Sequence, residues 1–401
     1  NARYTDGPFL IMPSVLGGHN WHPMAYNPAS QLVFMPTQDI PYVHADDANY
    51  EFVPGSGGTG TDFEFAAAPE DPAAAAEVAK MISGQLVAWD PVEQKEVWRY
   101  KHAGPWNGGV LATAGGLVFQ GSLIGEFAAY DATNGSRLWQ FSGQTGIAAA
   151  PVSYAVNDQQ HVAVAAGWGT FFAMAGGEMT ASLGMKNISR ILAFRRGGSA
   201  SLPAFEAVVR PPLQKPVDLP DDAELVAAGK NVSYEGCWHC HGDGAASGGV
   251  IPDLRYATAE THAAWPAIVL GGSLSENGMP SFAGILAAED SHAVQAYVVS
   301  RARIAYQRQQ AGAQPLVKHD PQGQGESLDQ DEEQQQVGDT RGRGRLRLEA
   351  ADALEEASEG HAQERRGHAG HAPAGEPGDP GSGAGEDPGQ GHQQRRRRRQ
   401  E

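Results

Sequence analysis

Both cysteines of this 401-residue chain lie in residues 237–241, which read Cys-Trp-His-Cys-His. Cys-x-x-Cys-His is the attachment sequence of a c-type haem. Two thiols at this spacing can form thioethers with the two vinyl groups of one porphyrin, and the histidine that follows can bind the iron. The motif therefore predicts a covalent haem c on Cys237 and Cys240, with His241 as an axial ligand.

Three other interpretations of the cysteine pair are weaker. A zinc site needs a second pair of Cys or His ligands at comparable spacing, and the chain has no further cysteine. A thioredoxin-like redox pair needs a βαβ context, which the flanking sequence lacks. A plain structural disulfide across two intervening residues needs nothing further, so it stays open as the simplest alternative.

A six-coordinate haem needs a second axial ligand, and Met279 is the candidate. It is the only methionine after the haem motif, and it lies in a Gly- and Pro-containing loop 38 residues beyond His241. His/Met ligation is typical of cytochromes c, where the thioether favours Fe(II) and raises the reduction potential. His239 and His262 are weaker candidates for the same position.

Residues 221–306 are predicted to form a small all-α cytochrome c domain around this motif. A first helix begins near Asp222 and leads to the cysteines, and a second helix spans residues 287–302. Between them, the carbonyl of Pro252 is expected to accept a hydrogen bond from the His241 imidazole and to fix the ring.

Residues 1–196 are predicted to be all-β, with short runs of β-branched and aromatic residues between turn residues. Within them, an Ala-x-Asp sequence followed eight residues later by Trp occurs twice, ending at Trp98 and at Trp139. The two blocks are 41 residues apart, the period of one four-stranded propeller blade. Each Trp is expected to pack between neighbouring blades, and Asn134 and Gly135 to form a tight turn.

The remaining segments are predicted to connect or to follow these two domains. Residues 41–80 resemble a long excursion from the rim of a blade. Residues 197–220 are proline-rich and should form a semi-rigid linker. Residues 307–401 have a low-complexity composition without Trp, Phe or Tyr, so a disordered or out-of-frame tail is expected.

Composition and charge exclude several classes of protein. The formal net charge of −18 at pH 7 disfavours a nucleic-acid partner. The sequence contains no apolar stretch long enough to span a membrane. Haem c attachment implies export before maturation, yet the first residues do not form a signal peptide. We therefore expect a chain that is processed or truncated at its start.

Taken together, residues 1–306 resemble the quinohaemoprotein alcohol dehydrogenases, which combine an eight-bladed propeller with a cytochrome c domain. The resemblance is carried by residues 17–23 (Gly-Gly-His-Asn-Trp-His-Pro), by residues 106–121, by Gly-Trp-Gly at 167–169, and by the haem motif with Gly-Met-Pro at 278–280. It implies pyrroloquinoline quinone (PQQ) and calcium in the propeller, beside the haem c.

The resemblance assigns site residues by position. Asn20 and Trp21 match the Asn-Trp pair that contacts the quinone in the family. Trp106 and Trp168 match aromatic residues at or near the quinone pocket. The alternative for each tryptophan is ordinary packing between blades.

The first half of the family's propeller has no counterpart in this sequence. In the family that half supplies the catalytic aspartate and the calcium ligands. Residues 1–196 suffice for about four blades, so the chain is interpreted as a C-terminal fragment that is inactive alone. Asp39, Asp46 and Asp62 are therefore not assigned as the catalytic base.

The resemblance implies a periplasmic enzyme that oxidises small alcohols to aldehydes or ketones. A base takes the hydroxyl proton, hydride passes to the quinone beside calcium, and electrons leave singly through the haem. The expected acceptor is soluble, such as a copper protein or a cytochrome. Two alternatives stay open: an electron-transfer cytochrome fused to a propeller that only binds a partner, and the dehydrogenase subunit of a membrane-bound quinone-reducing complex.

Overall fold

Antiparallel strands form the first half of the chain in the computed structural model, and helices form the part that follows the linker. The structure describes residues 7–48, 50–52, 60–62, 69, 71–204, 210–220 and 222–312. In chain order its strands are β1 (Phe9–Ile11), β2 (Ala25–Asn27), β3 (Leu32–Asp39), β4 (Tyr42–His44), β5 (Ser83–Asp90), β6 (Lys95–His102), β7 (Val110–Ala112), β8 (Leu117–Gly121), β9 (Glu126–Asp131), β10 (Arg137–Ser142), β11 (Val152–Val156), β12 (Gln159–Ala166) and β13 (Arg190–Arg195).

The helices are short except in the second part of the chain. In chain order they are α1 (Pro72–Met81), α2 (Phe171–Ala175), α3 (Gly177–Ser182), α4 (Ala223–Gly236), α5 (Trp238–His241), α6 (Ala259–Ala263), α7 (Trp265–Val269) and α8 (Ala288–Gln310), with 3₁₀ turns at Asp243–Ala245, Leu254–Tyr256 and Ser275–Asn277. Across the ranges that the structure describes, no helix is both long enough and apolar enough to cross a membrane.

The strands form three consecutive antiparallel sheets. The sheet orders are β2-β3-β5-β6, β7-β8-β9-β10 and β11-β12-β13. One apolar core lies between the first and second sheets, and another lies between the second and third. Successive meanders that pack face to face are the arrangement of propeller blades, so the propeller prediction is confirmed. Residues 1–196 are not wholly β, however, because the helices α1, α2 and α3 also lie there.

The number of blades is lower than expected. In the described part of the chain there are two four-stranded sheets and one three-stranded sheet, whereas β1 and β4 form only a two-stranded pair. The estimate of about four blades divided the whole length by the repeat period. The described residues between β3 and β5 do not add a blade, because β3 pairs directly with β5.

The predicted excursion is thus confirmed as a connection between adjacent strands, although it is not wholly irregular. It contains β4 and the helix α1, which Asp71 caps by accepting a hydrogen bond from the amide of Ala74 at 2.8 Å. The Gly-rich stretch at 55–58 and the start of the alanine run at 66–68 lie outside the described residues.

The repeated tryptophans lie between adjacent sheets, as predicted. The Trp98 indole, in the first sheet, donates to the carbonyl of Ala132 at 3.0 Å, just after the second sheet's strand β9. Trp139, in the second sheet, packs edge-on against Phe194 of the third sheet, with 5.2 Å between ring centroids. In both repeat blocks, the Trp therefore contacts the neighbouring sheet.

The linker contacts both parts of the chain. The side-chain amide of Gln144 donates to Pro203 O at 2.9 Å, and the amide of Leu213 donates to the Gln309 side chain at 2.9 Å. The second contact secures the last turn of α8, which continues to Gln310. The helical part therefore extends past the predicted boundary at residue 306, and residues 313–401 of the expected tail lie outside the described residues.

Helices α4 and α8 cross in direct backbone contact. Asp222 caps α4, as predicted, by accepting hydrogen bonds from the amides of residues 224 and 225. At the crossing, a Cβ built on Gly229 would lie 1.9 Å from the carbonyl oxygen of Ala293. Only glycine allows this approach, which lets both helices enclose one apolar cluster.

The two turns of the blade repeat predict opposite effects of substitution. Gly135 has a φ of +77°, and a Cβ there would lie 2.5 Å from the Trp98 ring. The equivalent residue of the first block, Gln94, also has a positive φ of 51°. Gly135→Ala should lower the free energy of unfolding by roughly 1–3 kcal/mol. Gln94→Gly should raise it by up to about 1 kcal/mol, since only glycine adopts this backbone without strain.

Urea unfolding of both variants beside the parent chain measures these changes as shifts of the midpoint. The two substitutions lie at equivalent positions and change the same kind of turn, so each serves as the control for the other. Shifts of the same sign in both variants would contradict the structural equivalence of the two blocks.

Candidate functional site

The haem motif forms a single helical turn between α4 and the loop that follows it. The amides of Cys240 and His241 donate to the carbonyl of Cys237 at 3.2 and 3.0 Å. This turn places the two thiols on the same side of the helix, because residues three apart are neighbours on a helical surface. Neither thiol is part of a disulfide in the structure. The arrangement is the one that attachment of a single porphyrin requires.

His241 is oriented by a backbone carbonyl. Its Nδ1 lies 3.0 Å from the carbonyl oxygen of Pro252, which can only accept, so Nδ1 carries the proton. The hydrogen bond expected from the sequence is therefore present. Burial lowers the pKa of His241, so the ring is neutral at pH 7. A neutral imidazole with Nδ1 engaged can present Nε2 to a metal.

Met279 contacts the same apolar cluster as Cys237. The centre of this cluster is buried between α4, α7 and α8, and its partly buried rim includes both residues. The rim also contains Leu254, Ile268, Leu270 and Phe282, among others. An apolar surface bordered by a haem-attachment cysteine and a thioether suits the face of a porphyrin. The donors and the surroundings thus fit haem c with His/Met ligation.

The competing ligands have other contacts. His262 stacks on Trp265, with 5.9 Å between centroids, and its carbonyl accepts from Gln295 at 2.8 Å. The ring of His239 packs beside Trp238, at 4.4 Å. Trp265 is a buried member of the cluster that Met279 and Cys237 border, so His262 stays an alternative ligand.

The redox-pair interpretation is also weakened. Burial raises the pKa of the Cys237 thiol to about 11, and the neighbouring Cys240 adds to the effect. Catalytic redox cysteines have a lowered thiol pKa, because the thiolate is the nucleophile. Cys237 is in the opposite environment. The flanking elements are helices on both sides, which agrees with the missing βαβ context.

The structure brings together Trp21 and Trp106 of the predicted quinone residues, and it adds His22 between them. Trp21 is 57% exposed and stacks on His22, with 4.1 Å between ring centroids. The His22 ring in turn contacts the edge of Trp106 at 5.1 Å. We call these three residues the aromatic wall.

Two buried nitrogen atoms in the aromatic wall are unused. His22 Nε2 and Trp106 Nε1 have no hydrogen-bond partner among the described residues. Burial, with the nearby His19, lowers the pKa of His22 to about 4, so its imidazole is neutral at pH 7. Buried donors are normally satisfied. An aromatic face with two unpaired ring nitrogens fits a planar, polyanionic quinone.

Trp106 is held in an unusual backbone conformation. Its φ is +60°, which is rare for a bulky residue. The side chain of Gln38 accepts from the Trp106 amide at 3.2 Å and donates to the carbonyl of Gly17 at 3.3 Å. Strained residues held by their surroundings are enriched at functional sites. Gln38 and His22 were not assigned from the sequence, although His22 lies inside the Asn-Trp-His-Pro segment.

Asn20 and Trp168 are connected to the aromatic wall but are not part of it. The Asn20 amide donates to Leu16 O at 2.8 Å, and its oxygen accepts from the Trp21 amide at 2.8 Å. Trp168 is fully buried in the cluster of Trp106, and its indole donates to the carbonyl of Gly248 at 2.8 Å. Trp168 therefore shares a buried apolar cluster with Trp106, and its N–H is not available to a ligand.

The described residues contain no further cluster of metal-ligating side chains. In the described ranges there is no group of three or more His, Cys, Asp or Glu side chains that could hold a metal ion. Asp39, for example, accepts from Gln85 at 3.2 Å, inside the first sheet. The Asp39 carboxylate is therefore engaged within its own sheet.

Known proteins match the chain along most of its described length. A family model described as "Glucose/ethanol/alcohol dehydrogenase, beta-propeller domain" matches residues 3–162. The quinohemoprotein alcohol dehydrogenase ADH IIB of Pseudomonas putida is 42% identical over 300 residues, which cover 75% of this chain and 42% of that protein. The alcohol dehydrogenase (quinone) dehydrogenase subunit of Acetobacter aceti is 39% identical over 319 residues, covering 77% of this chain and 42% of the subunit.

Solved structures agree with these matches. The quinohemoprotein alcohol dehydrogenase ADHIIG from Pseudomonas putida has a TM-score of 0.68 at 36% identity, over 74% of this chain and 43% of its own. The quinohemoprotein alcohol dehydrogenase from Comamonas testosteroni has a TM-score of 0.59 at 34% identity, over 75% of this chain and 43% of its own. The chain thus spans about two fifths of the length of the relatives that it matches.

The similarity extends beyond the sheets. An alignment of 300 residues is longer than the β-rich part of the chain, which ends with β13 at Arg195, so it includes helical residues as well. The antiparallel sheets, the family match over them and the solved relatives all point to the same group of proteins. Residues 3–162 therefore match the propeller domain of the PQQ-dependent alcohol dehydrogenases, and the chain is similar along three quarters of its length to the quinohemoprotein members of that family.

Proposed function

We propose that this chain forms the haem relay and one wall of the quinone site in an enzyme that oxidises alcohols to aldehydes or ketones. The observation that carries the proposal is the arrangement around His241. Its ring is oriented by Pro252, the attachment cysteines lie in the same helical turn, and Met279 borders the same apolar cluster as Cys237. The relatives are named quinohemoprotein alcohol dehydrogenases, which supports both cofactors.

Each residue of the haem site has one task. When bound, haem c supplies a one-electron relay, and PQQ supplies the two-electron acceptor for the alcohol. Cys237 and Cys240 would anchor the porphyrin as thioethers. His241, through Nε2, and Met279 would supply the iron ligands. The apolar cluster would exclude water from the haem, which favours the less charged ferrous state.

The aromatic wall binds and orients the quinone. Trp21, which is 57% exposed, offers an aromatic face to the planar ring system, and the buried Trp106 supports it through His22. The neutral His22 and the Trp106 indole offer the two unpaired nitrogens, which suit the carboxylate and carbonyl oxygens of the cofactor. Asn20 holds the Trp21 backbone in place. Trp168 fixes the wall against the helical part of the chain.

The base that takes the hydroxyl proton and the calcium ligands are assigned to no residue of this chain. The chain spans about two fifths of its relatives, and in our proposal the remainder of their length supplies both functions. We therefore expect the chain alone to bind haem and to show no turnover of alcohol.

The electron acceptor has two candidate classes. A soluble copper protein or cytochrome in the periplasm suits a chain with one haem and a net charge of −18. A membrane-bound complex is the second candidate, because the relative from Acetobacter aceti is named as a dehydrogenase subunit. In both, the haem site of this chain is the point where electrons leave the dehydrogenase.

Replacement of Met279 tests the axial ligand. Met279→Ala should leave the haem covalently attached, because both cysteines remain. Axial ligands set haem potentials over a range of roughly 0.8 V, and the reduction potential should fall by about a tenth of that range or more. Redox titration of the haem absorbance measures the change.

Met81→Ala, at the end of α1, is the matched control and should leave the potential unchanged. An unchanged potential in Met279→Ala would show that the sixth ligand is another group.

Alcohol-driven reduction of the haem tests the function as a whole. In the full-length enzyme with PQQ and calcium, a primary alcohol should reduce the haem, followed by its absorbance. His22→Leu should raise the PQQ concentration needed for half of this reduction roughly five- to tenfold, since one hydrogen-bond donor is lost.

His161→Leu, on strand β12, is the matched control and should behave as the parent. A haem that stays oxidised on addition of alcohol in the reconstituted parent would favour a propeller that only binds a partner.

A further inference from the structure

The loop that carries Pro252 is clamped by the propeller at its first end. The carbonyl of Gly248 accepts from the buried indole of Trp168 at 2.8 Å. The amide of Gly248 donates to the carbonyl of Ala173, in α2, at 3.1 Å. A Cβ at Gly248 would lie 2.3 Å from that carbonyl oxygen, so the loop fits closely against α2.

The other end of the loop is held by charges. Asp253, directly after Pro252, receives the guanidinium of Arg255 through two hydrogen bonds of 2.9 and 2.8 Å. It also receives Arg210 of the linker at 3.2 Å. The side chain of Asp253 is 7% exposed and that of Arg255 is 11% exposed. Ion pairs at this depth are weakly screened, and the fork of Arg255 fixes the carboxylate in one orientation.

The same charges connect three separate segments of the chain. Arg255 also donates to Glu178, in the propeller-side helix α3. Arg210 also donates to the carbonyl of Ser247 at 3.1 Å. Glu178, Arg210, Asp253 and Arg255 therefore form one group of two acids and two arginines, which we call the ion cluster. It joins the propeller, the linker and the loop beside His241.

We infer that the ion cluster positions the Pro252 carbonyl against His241 and thereby sets the reduction potential of the haem. The inference rests on the proposed haem attachment. A tight hydrogen bond from Nδ1 to a carbonyl makes the imidazole a stronger electron donor, which stabilises Fe(III) and lowers the potential. Glu178 then influences the iron although it lies on an element of the propeller.

Two variants separate positioning from simple charge. Arg255→Lys keeps the positive charge but loses the two-pronged contact with Asp253. Glu178→Gln removes one negative charge and weakens the hold on Arg255. In the haem-bearing full chain, both variants should shift the haem potential upward. Both should also speed exchange of the His241 Nδ1 proton, followed by NMR in the reduced protein, by roughly five- to tenfold, the factor expected for one weakened hydrogen bond.

Glu260→Gln, an exposed carboxylate in α6 outside the ion cluster, is the control and should change neither quantity. A shift of the haem potential in Glu178→Gln without any change in Arg255→Lys would mean that the ion cluster acts only through its charge, and it would overturn the inference. Unchanged potential and proton exchange in both variants would also overturn it. A parent chain that carries no haem would instead contradict the proposed function itself.

Discussion

The buried indole of Trp168 donates a hydrogen bond to the carbonyl of Gly248, and the propeller and the helical part of the chain meet around this bond. Trp168 is fully buried, so an unpaired indole N–H there would cost roughly 1–3 kcal/mol. The contact therefore selects one arrangement of the two parts. The loop that it holds is the loop that supplies Pro252 to His241, so the orientation of His241 depends on a residue of the propeller.

Helix α2 places both candidate sites against one another. Phe172 stacks on Trp106 of the aromatic wall, with 5.8 Å between centroids and 18° between planes. Its neighbour Phe171 contacts Trp238 of the haem motif at 6.0 Å. A single five-residue helix thus contacts the proposed quinone wall and the proposed haem site. The proposed quinone wall and the proposed haem site are therefore bridged by the side chains of one short helix.

The sequence predicts mainly features that depend on neighbouring residues, and it misses the ion pairs that join distant segments. The bond between His241 and Pro252 could be anticipated because the partners are eleven residues apart in a known motif. Helix α1 was missed although Asp71 and the proline after it form a helix start. The pairing of Glu178 with Arg255 spans 77 residues. No periodicity or turn chemistry encodes such a contact, which exists only after the two parts have packed.

Mass analysis of the mature chain tests the haem relay most directly. The chain would be expressed in a host that attaches haem c, denatured and digested with trypsin, which releases residues 231–255 as one peptide containing both cysteines. We expect this peptide to carry the mass of one haem through two thioether bonds, at Cys237 and Cys240. Recovery of the peptide with both cysteines as free thiols, or joined as a disulfide, would contradict it.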